Sequence, residues 1–141
     1  MNGMYFSGTG NTKYCTEAFA QATGGRACSM ESDEALEILR ASDEIALGYP
    51  IYFSDIPRIV KAFILKHADM FRGKRVFVIA TMGLFSGDGA GLAARLLRKC
   101  GAAVTGGLHL HMPDCIADVK LLKKTPKENR GLIAAAQKKI L

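Results

Sequence analysis

Residues 4–13 read Met4-Tyr5-Phe6-Ser7-Gly8-Thr9-Gly10-Asn11-Thr12-Lys13. A short apolar run gives way to glycines, hydroxyls and an amide, and an amphipathic stretch follows at once. Cys15, Ala18, Phe19 and Ala22 recur at i, i+3, i+4 and i+7, the spacing of a buried helical stripe. A strand feeding a glycine-rich turn and then a helix gathers unpaired N–H groups where the helix dipole favours negative charge. Residues 7–12 are therefore the first candidate site, and an anion such as a phosphate is its expected ligand.

Working outward, the same alternation repeats. Gly24-Gly25 ends the first helix, residues 26–30 read as an edge strand, and residues 31–40 as a short acidic helix. Glu44-Ile45-Ala46-Leu47-Gly48-Tyr49 is a strand closed by Pro50. Ser54 or Asp55 is the expected cap of the next helix, with Pro57 in its first turn. Its stripe is Ile56, Ile59, Val60, Phe63 and Ile64. Residues 75–81 are almost continuously apolar, the pattern of a strand covered on both faces. Asp88 opens a helix with Ala93, Leu96, Leu97 and Cys100 inward, stopped by Gly101. Residues 102–112 give a fifth strand, bent or bulged at Gly106-Gly107, and a last helix runs over residues 127–141. Five strands alternating with five helices predict a three-layer, doubly wound α/β sandwich with a five-stranded parallel sheet. Such sheets bind ligands beyond the carboxyl ends of their strands. The loops after the first, third and fourth strands are thus the ones to watch.

Composition sets the bounds. The chain has 141 residues, 49% of them hydrophobic and 23% charged, which fits one globular domain over residues 1–141. No apolar run reaches the roughly 18–20 residues of a membrane span, and the amino terminus lacks the basic and apolar segments of a secretory signal. The four cysteines (Cys15, Cys28, Cys100, Cys115) form no C-x-x-C pair, so reduced thiols in a cytoplasm are expected. Residues 1–70 carry six Lys/Arg against nine Asp/Glu, net −3, whereas residues 71–141 carry thirteen against four, net +9. The basic excess has no interleaved aromatics to stack bases, so a solvated face is expected in place of a nucleic-acid site.

Other glycine-rich sites fail on spelling. A P-loop needs its lysine before the final Ser/Thr, and here Lys13 follows Thr12. The dinucleotide fingerprint needs a third glycine where Lys13 stands. Ser86 comes one position too late for a G-x-S-x-G elbow. His109 and His111 share a strand face without a nearby third ligand, so no metal site is expected. His67 falls in the last turn of a helix, where a cation would meet the dipole favourably.

The loop resembles the [ST]-x-T-G-[NT]-[ST] phosphate loop of flavodoxins, and the element order over all 141 residues resembles their fold, with strand order 2-1-3-4-5. Gly48-Tyr49-Pro50-Ile51-Tyr52-Phe53, Thr81-Met82-Gly83-Leu84-Phe85-Ser86-Gly87-Asp88-Gly89 and Met112-Pro113-Asp114 are similar to the flavodoxin halves of flavodoxin–ferredoxin fusions. The resemblance implies FMN as cofactor. Ser7, Thr9, Asn11 and Thr12 would then hold the phosphate, with Gly8 and Gly10 allowing close approach. Tyr52 would stack on the ring, in a loop shaped by Pro50, Ile51 and Phe53. Thr81, Met82 and Gly83 would offer backbone groups to its polar edge, Phe85 would flank it, and Gly87 and Asp88 would shape the loop. Asp88 also suits an N-cap.

The implied function is electron transfer to or from a protein partner, a ferredoxin-type iron–sulfur domain among the candidates. No clustered cysteines follow, so that domain is expected either to have been removed or to be absent from this member. Flavodoxins are acidic around the flavin while this chain is basic overall, which points to an acidic partner. An NAD(P)H-dependent quinone or flavin reductase, and a flavin-free interaction module on the same fold, stand as alternatives.

Overall fold

In a computed structural model, residues 1–52, 55–82, 88–112 and 126–140 are described. They form β1 (Asn2–Tyr5), α1 (Asn11–Ala22), β2 (Ala27–Ser29), α2 (Glu34–Ala41), β3 (Glu44–Pro50), α3 (Arg58–Lys66), α4 (Ala68–Phe71), β4 (Arg75–Met82), α5 (Gly89–Lys99), β5 (Ala103–His111) and α6 (Pro126–Ile140). The strands make one parallel sheet in the order β2-β1-β3-β4-β5. The doubly wound expectation therefore holds.

Two apolar layers cover the sheet. On one face Met4, Ile45, Leu47, Tyr49, Val76 and Val78 pack under the helices α2 to α5. On the other, Ala46, Ile79 and Leu110 meet α1 and α6 through Cys15, Ala136 and Ile140. Alternate residues of β3 and β4 point to opposite layers, which is why those strands read as continuous apolar runs. At the C-terminus of α1, Gly25 N–H donates to the Ala20 carbonyl and Gly24 N–H to that of Gln21, closing the helix with a Schellman pattern. The bulge expected at Gly106-Gly107 falls one residue earlier. Val76 faces Val104 and Phe77 faces Gly106, leaving Thr105 as the extra residue.

Several expectations need correction. The first strand begins at Asn2, not Met4, because Asn2 and Gly3 already pair with Ile45 and Ala46. The buried side of α1 is Thr12, Cys15, Thr16 and Ala20, while Ala22 is exposed. Small polar side chains win there because α1 lies against glycines of the sheet. A Cβ on Gly48 would sit 2.0 Å from Thr16 Oγ1, and one on Gly3 would sit 3.0 Å from Thr16 Cγ2. Helix α2 starts at Glu34, three residues later than expected. Helix α3 starts after Pro57; Asp55 turns its carboxylate to the N–H of Ile56, and Ser54 lies outside the described residues. Ile59, assigned to the buried stripe, is 38% exposed, since Val60 and Ile64 already fill the inward positions.

The helix also breaks at His67, and α4 supplies one further turn that buries Phe71. His67 packs on Phe63 with centroids 4.8 Å apart. Burial first, then the charges of Lys66 and Arg40, hold its imidazole below the ordinary value, against the expectation of a cation favoured by the dipole.

Candidate cofactor site

Strand β1 ends at Tyr5 and α1 begins at Asn11, so residues 6–10 make the turn at the carboxyl edge of the sheet. Ser7 Oγ accepts the N–H of Gly10 at 3.1 Å and closes the loop on itself. Gly10 has φ 96°, a left-handed conformation that a side chain would strain, and so turns the chain into the helix. Gly8, Thr9 and Gly10 are exposed, Asn11 is half-buried and Thr12 is buried. The first intrahelical bond runs from Tyr14 N–H to the Gly10 carbonyl. The amides before Tyr14 thus have no acceptor within the helix.

The other two loops are tied to this one. Thr12 Oγ1 lies 2.8 Å from Thr81 Oγ1 at the end of β4, and both residues are buried. Ile51 N–H donates to the Thr81 carbonyl at 2.8 Å, so the chain after β3 stays beside β4. Tyr52 and Asp55 exchange two backbone hydrogen bonds, of 3.0 and 2.9 Å. Tyr52 is 36% exposed, and its hydroxyl would stand 3.3 Å from a Cβ on Gly8. Tyr49, by contrast, is fully buried and donates to the Gly89 carbonyl at 3.1 Å. Of this pair only Tyr52 reaches the surface, beside the loop of residues 7–12. Pro50 and Ile51 are half-buried, and Ile51 packs on Gly89, where a Cβ would fall 2.8 Å from its Cγ1.

The structure therefore brings together the described members of all three loops. Phe53, Gly83, Phe85 and Gly87 lie outside the described residues. Thr81 and Met82 are buried, and their carbonyls accept from Ile51 and Met112. A carbonyl carries two lone pairs, so each keeps one for another donor. Asp88 precedes α5 without capping it through its side chain; the carboxylate pairs with Arg95 instead.

The electrostatics favour an anion. The first turn of α1 contains no acidic residue. Its dipole contributes about 0.3–1 kcal/mol towards a bound charge, up to ~2 in a partly buried geometry. Each hydrogen bond to a charged acceptor adds about 1.5–3 kcal/mol, so converging donors outweigh the dipole. Lys13 is exposed, and a solvated cation there contributes roughly 0–1 kcal/mol. Elsewhere Cys15 is buried, with its thiol pushed up to about 12 by desolvation, which makes it a packing residue. Among the described residues no cluster of three or more His, Cys, Asp or Glu is placed to hold a metal.

The family model for the flavodoxin domain matches residues 4–104. The chain belongs to the flavodoxin-domain family. It is similar to the two-electron reduced flavodoxin of Megasphaera elsdenii at 27% identity, with a TM-score of 0.68 over 98% of this chain and 99% of that one. It is also similar to the flavodoxin, WrbA-like protein of Agrobacterium tumefaciens, at 18% identity and a TM-score of 0.70, covering 97% and 96%. A Lactobacillus acidophilus flavoprotein in complex with FMN matches at 16% identity and a TM-score of 0.61, covering 77% of this chain and 91% of that one. The last two likenesses speak for the fold alone. No curated protein matches the chain significantly.

Within this flavodoxin domain, the sequence placed the turns that follow β1, β3 and β4 but not what joins them. Neither the Thr12–Thr81 bond nor the contact of Thr16 with Gly48 was foreseen. The signal for the second was present, since a glycine inside a strand marks a close backbone approach.

Proposed function

We propose that this chain binds FMN at the three-loop site and passes electrons to or from a protein partner. The observation that carries the reading is the neutral, acid-free loop of residues 7–12 opening onto the start of α1. A dianionic phosphate ester there would meet backbone amides and the side chains of Ser7, Thr9 and Asn11, while Thr12 ties the loop to β4. Gly8 has no side chain to crowd the Tyr52 hydroxyl, which would stand 3.3 Å from a Cβ there. Tyr52 offers a flat, half-polar ring to a planar ligand, and Ile51 and Pro50 hold its loop against β4. Bound FMN supplies reversible uptake of one or two electrons; the chain supplies orientation, exclusion of water and the electrostatic surroundings. Phe53, Gly83, Phe85, Gly87 and Asp88 complete the proposed ring site.

The segments at 48–53, 81–89 and 112–114 support a place beside the flavodoxin halves of flavodoxin–ferredoxin fusions, and a ferredoxin-type iron–sulfur protein as partner. Free Cys15, Cys28 and Cys100 agree with a reducing cytoplasm. Among the described residues no helix is long and apolar enough to cross a membrane.

The purified chain, reconstituted with FMN, should be yellow, and stepwise reduction should bleach its visible bands reversibly. Thr9→Glu places a carboxylate at an exposed loop position and should weaken FMN binding at least a hundredfold with the fold intact. Unchanged affinity in that variant contradicts the phosphate assignment. Rapid steady-state oxidation of NADH or NADPH with a quinone acceptor would favour a reductase over a carrier.

A further inference from the structure

We infer that the α3–α5 face is a docking surface for an acidic protein. The two helices are neighbours on one side of the sheet, each crossing from one strand to the next. Helix α3 carries Arg58, Lys61 and Lys66, and α5 carries Arg95, Arg98 and Lys99; neither helix contains an acid. All six are exposed. Of these six only Arg95 is in an ion pair with a described residue, Asp88, and the other five meet no carboxylate among the described residues. The environment of His67, at the end of α3, reports the same field. After burial, the charges of Lys66 and Arg40 lower its proton affinity below the ordinary value.

This face is not merely a solvated one. Ile59 is 38% and Leu65 53% exposed, although α3 already spends Val60 and Ile64 on the core. On a helical wheel Arg58, Lys61, Ala62 and Leu65 form one outward row, with Ile59 and Lys66 along its flank. Aliphatic anchors ringed by unpaired cations match a protein surface of the opposite sign. A nucleic acid would reward the cations but gives nothing to isoleucine and leucine, and it seeks aromatic platforms that this row lacks. A bilayer needs a wider apolar stripe than two separated side chains.

The surface also has a direction. Beyond α3 the same side of the sheet turns acidic at the start of α2, where Glu34 and Glu37 follow Glu31 and Asp33, while Arg40 at its other end faces α3 and His67. A partner with its carboxylates over α3 and α5 is therefore fixed in one orientation. Both helices begin next to the candidate site, since α3 follows the Tyr52 segment and α5 follows β4. The partner would reach from the body of the face to the edge where FMN is proposed to sit.

The inference rests on the carrier reading, yet docking is measurable without flavin. The test titrates the full chain, both apo and FMN-loaded, with an acidic bacterial-type ferredoxin as probe. Anionic phosphatidylglycerol vesicles and a DNA duplex serve as competing polyanions. Binding of the ferredoxin should be saturable and should weaken steeply with salt. R58E/K61E/K66E should lower affinity at least tenfold, and I59S/L65S about tenfold. K138E/K139E reverses the charge of two exposed residues of α6, on the opposite layer, and should change affinity less than twofold. Thermal unfolding of each variant confirms that the fold is kept. Absence of ferredoxin binding, an equal loss in K138E/K139E, indifference to I59S/L65S, or tighter binding of vesicles or DNA would each overturn the proposal. If the apo chain docks but takes up no FMN, the cofactor reading fails and the docking surface stands.

Discussion

Thr12 and Thr81 come from segments 69 residues apart and share a single 2.8 Å bond between their buried hydroxyls. Removing one partner strands the other without water, at a cost of about 1–3 kcal/mol, whereas replacing both by apolar groups of similar shape is close to neutral. Thr81→Val should therefore destabilise the chain by about that amount, Thr81→Ser much less, and the double Val variant should recover most of the loss. Urea unfolding of the set checks this; three equal losses would show that the bond has no special weight. Such a pair was illegible in the sequence because a threonine at a strand end and one at a helix start carry no mark of their contact. The exposure of Tyr52 was legible for the opposite reason. Its place just past Pro50 set it outside the strand, while Tyr49 inside the strand is wholly buried.

At the scale of elements, hydrophobic period located every strand and nearly every helix, and failed where packing is by small polar groups. Helix α1 was expected to bury Ala22 and instead buries Thr12 and Thr16, because Gly48 lets the helix approach β3. Gly48→Ala places its Cβ on the Thr16 hydroxyl, and overpacking of this kind costs about 1–3 kcal/mol. Adding Thr16→Ala should return part of that stability, a coupling readable from the double-mutant cycle; strict additivity would refute the contact. The junction of α3 and α4 makes a pH prediction. His67 binds a proton less readily in the fold than in the unfolded chain, so its contribution is fully present above the unfolded value and is lost as pH falls from there through the lower folded value. A proton titration of its ring signals should give a midpoint below 6.5, the ordinary value. A midpoint at or above that value would mean that the dipole outweighs burial and the neighbouring cations.

Across the whole molecule, the parallel order β2-β1-β3-β4-β5 sets three loops side by side at one end of the sheet, while the charge is distributed along its flanks. Alternation of periods made the order readable, since right-handed crossovers leave few other arrangements. Net charge by halves was readable too, but not its division into an acidic α2 and basic α3 and α5 on one face, because that depends on which helices become neighbours. The central claim remains a local one, that helix start and neutral donors hold a phosphate without a cationic side chain. Parallel calorimetric titrations of the apo chain with FMN and with riboflavin test it most directly, the two ligands differing only in that phosphate. The account predicts one FMN per chain, bound at least a hundredfold more tightly than riboflavin; equal affinities, or no FMN binding, would contradict it.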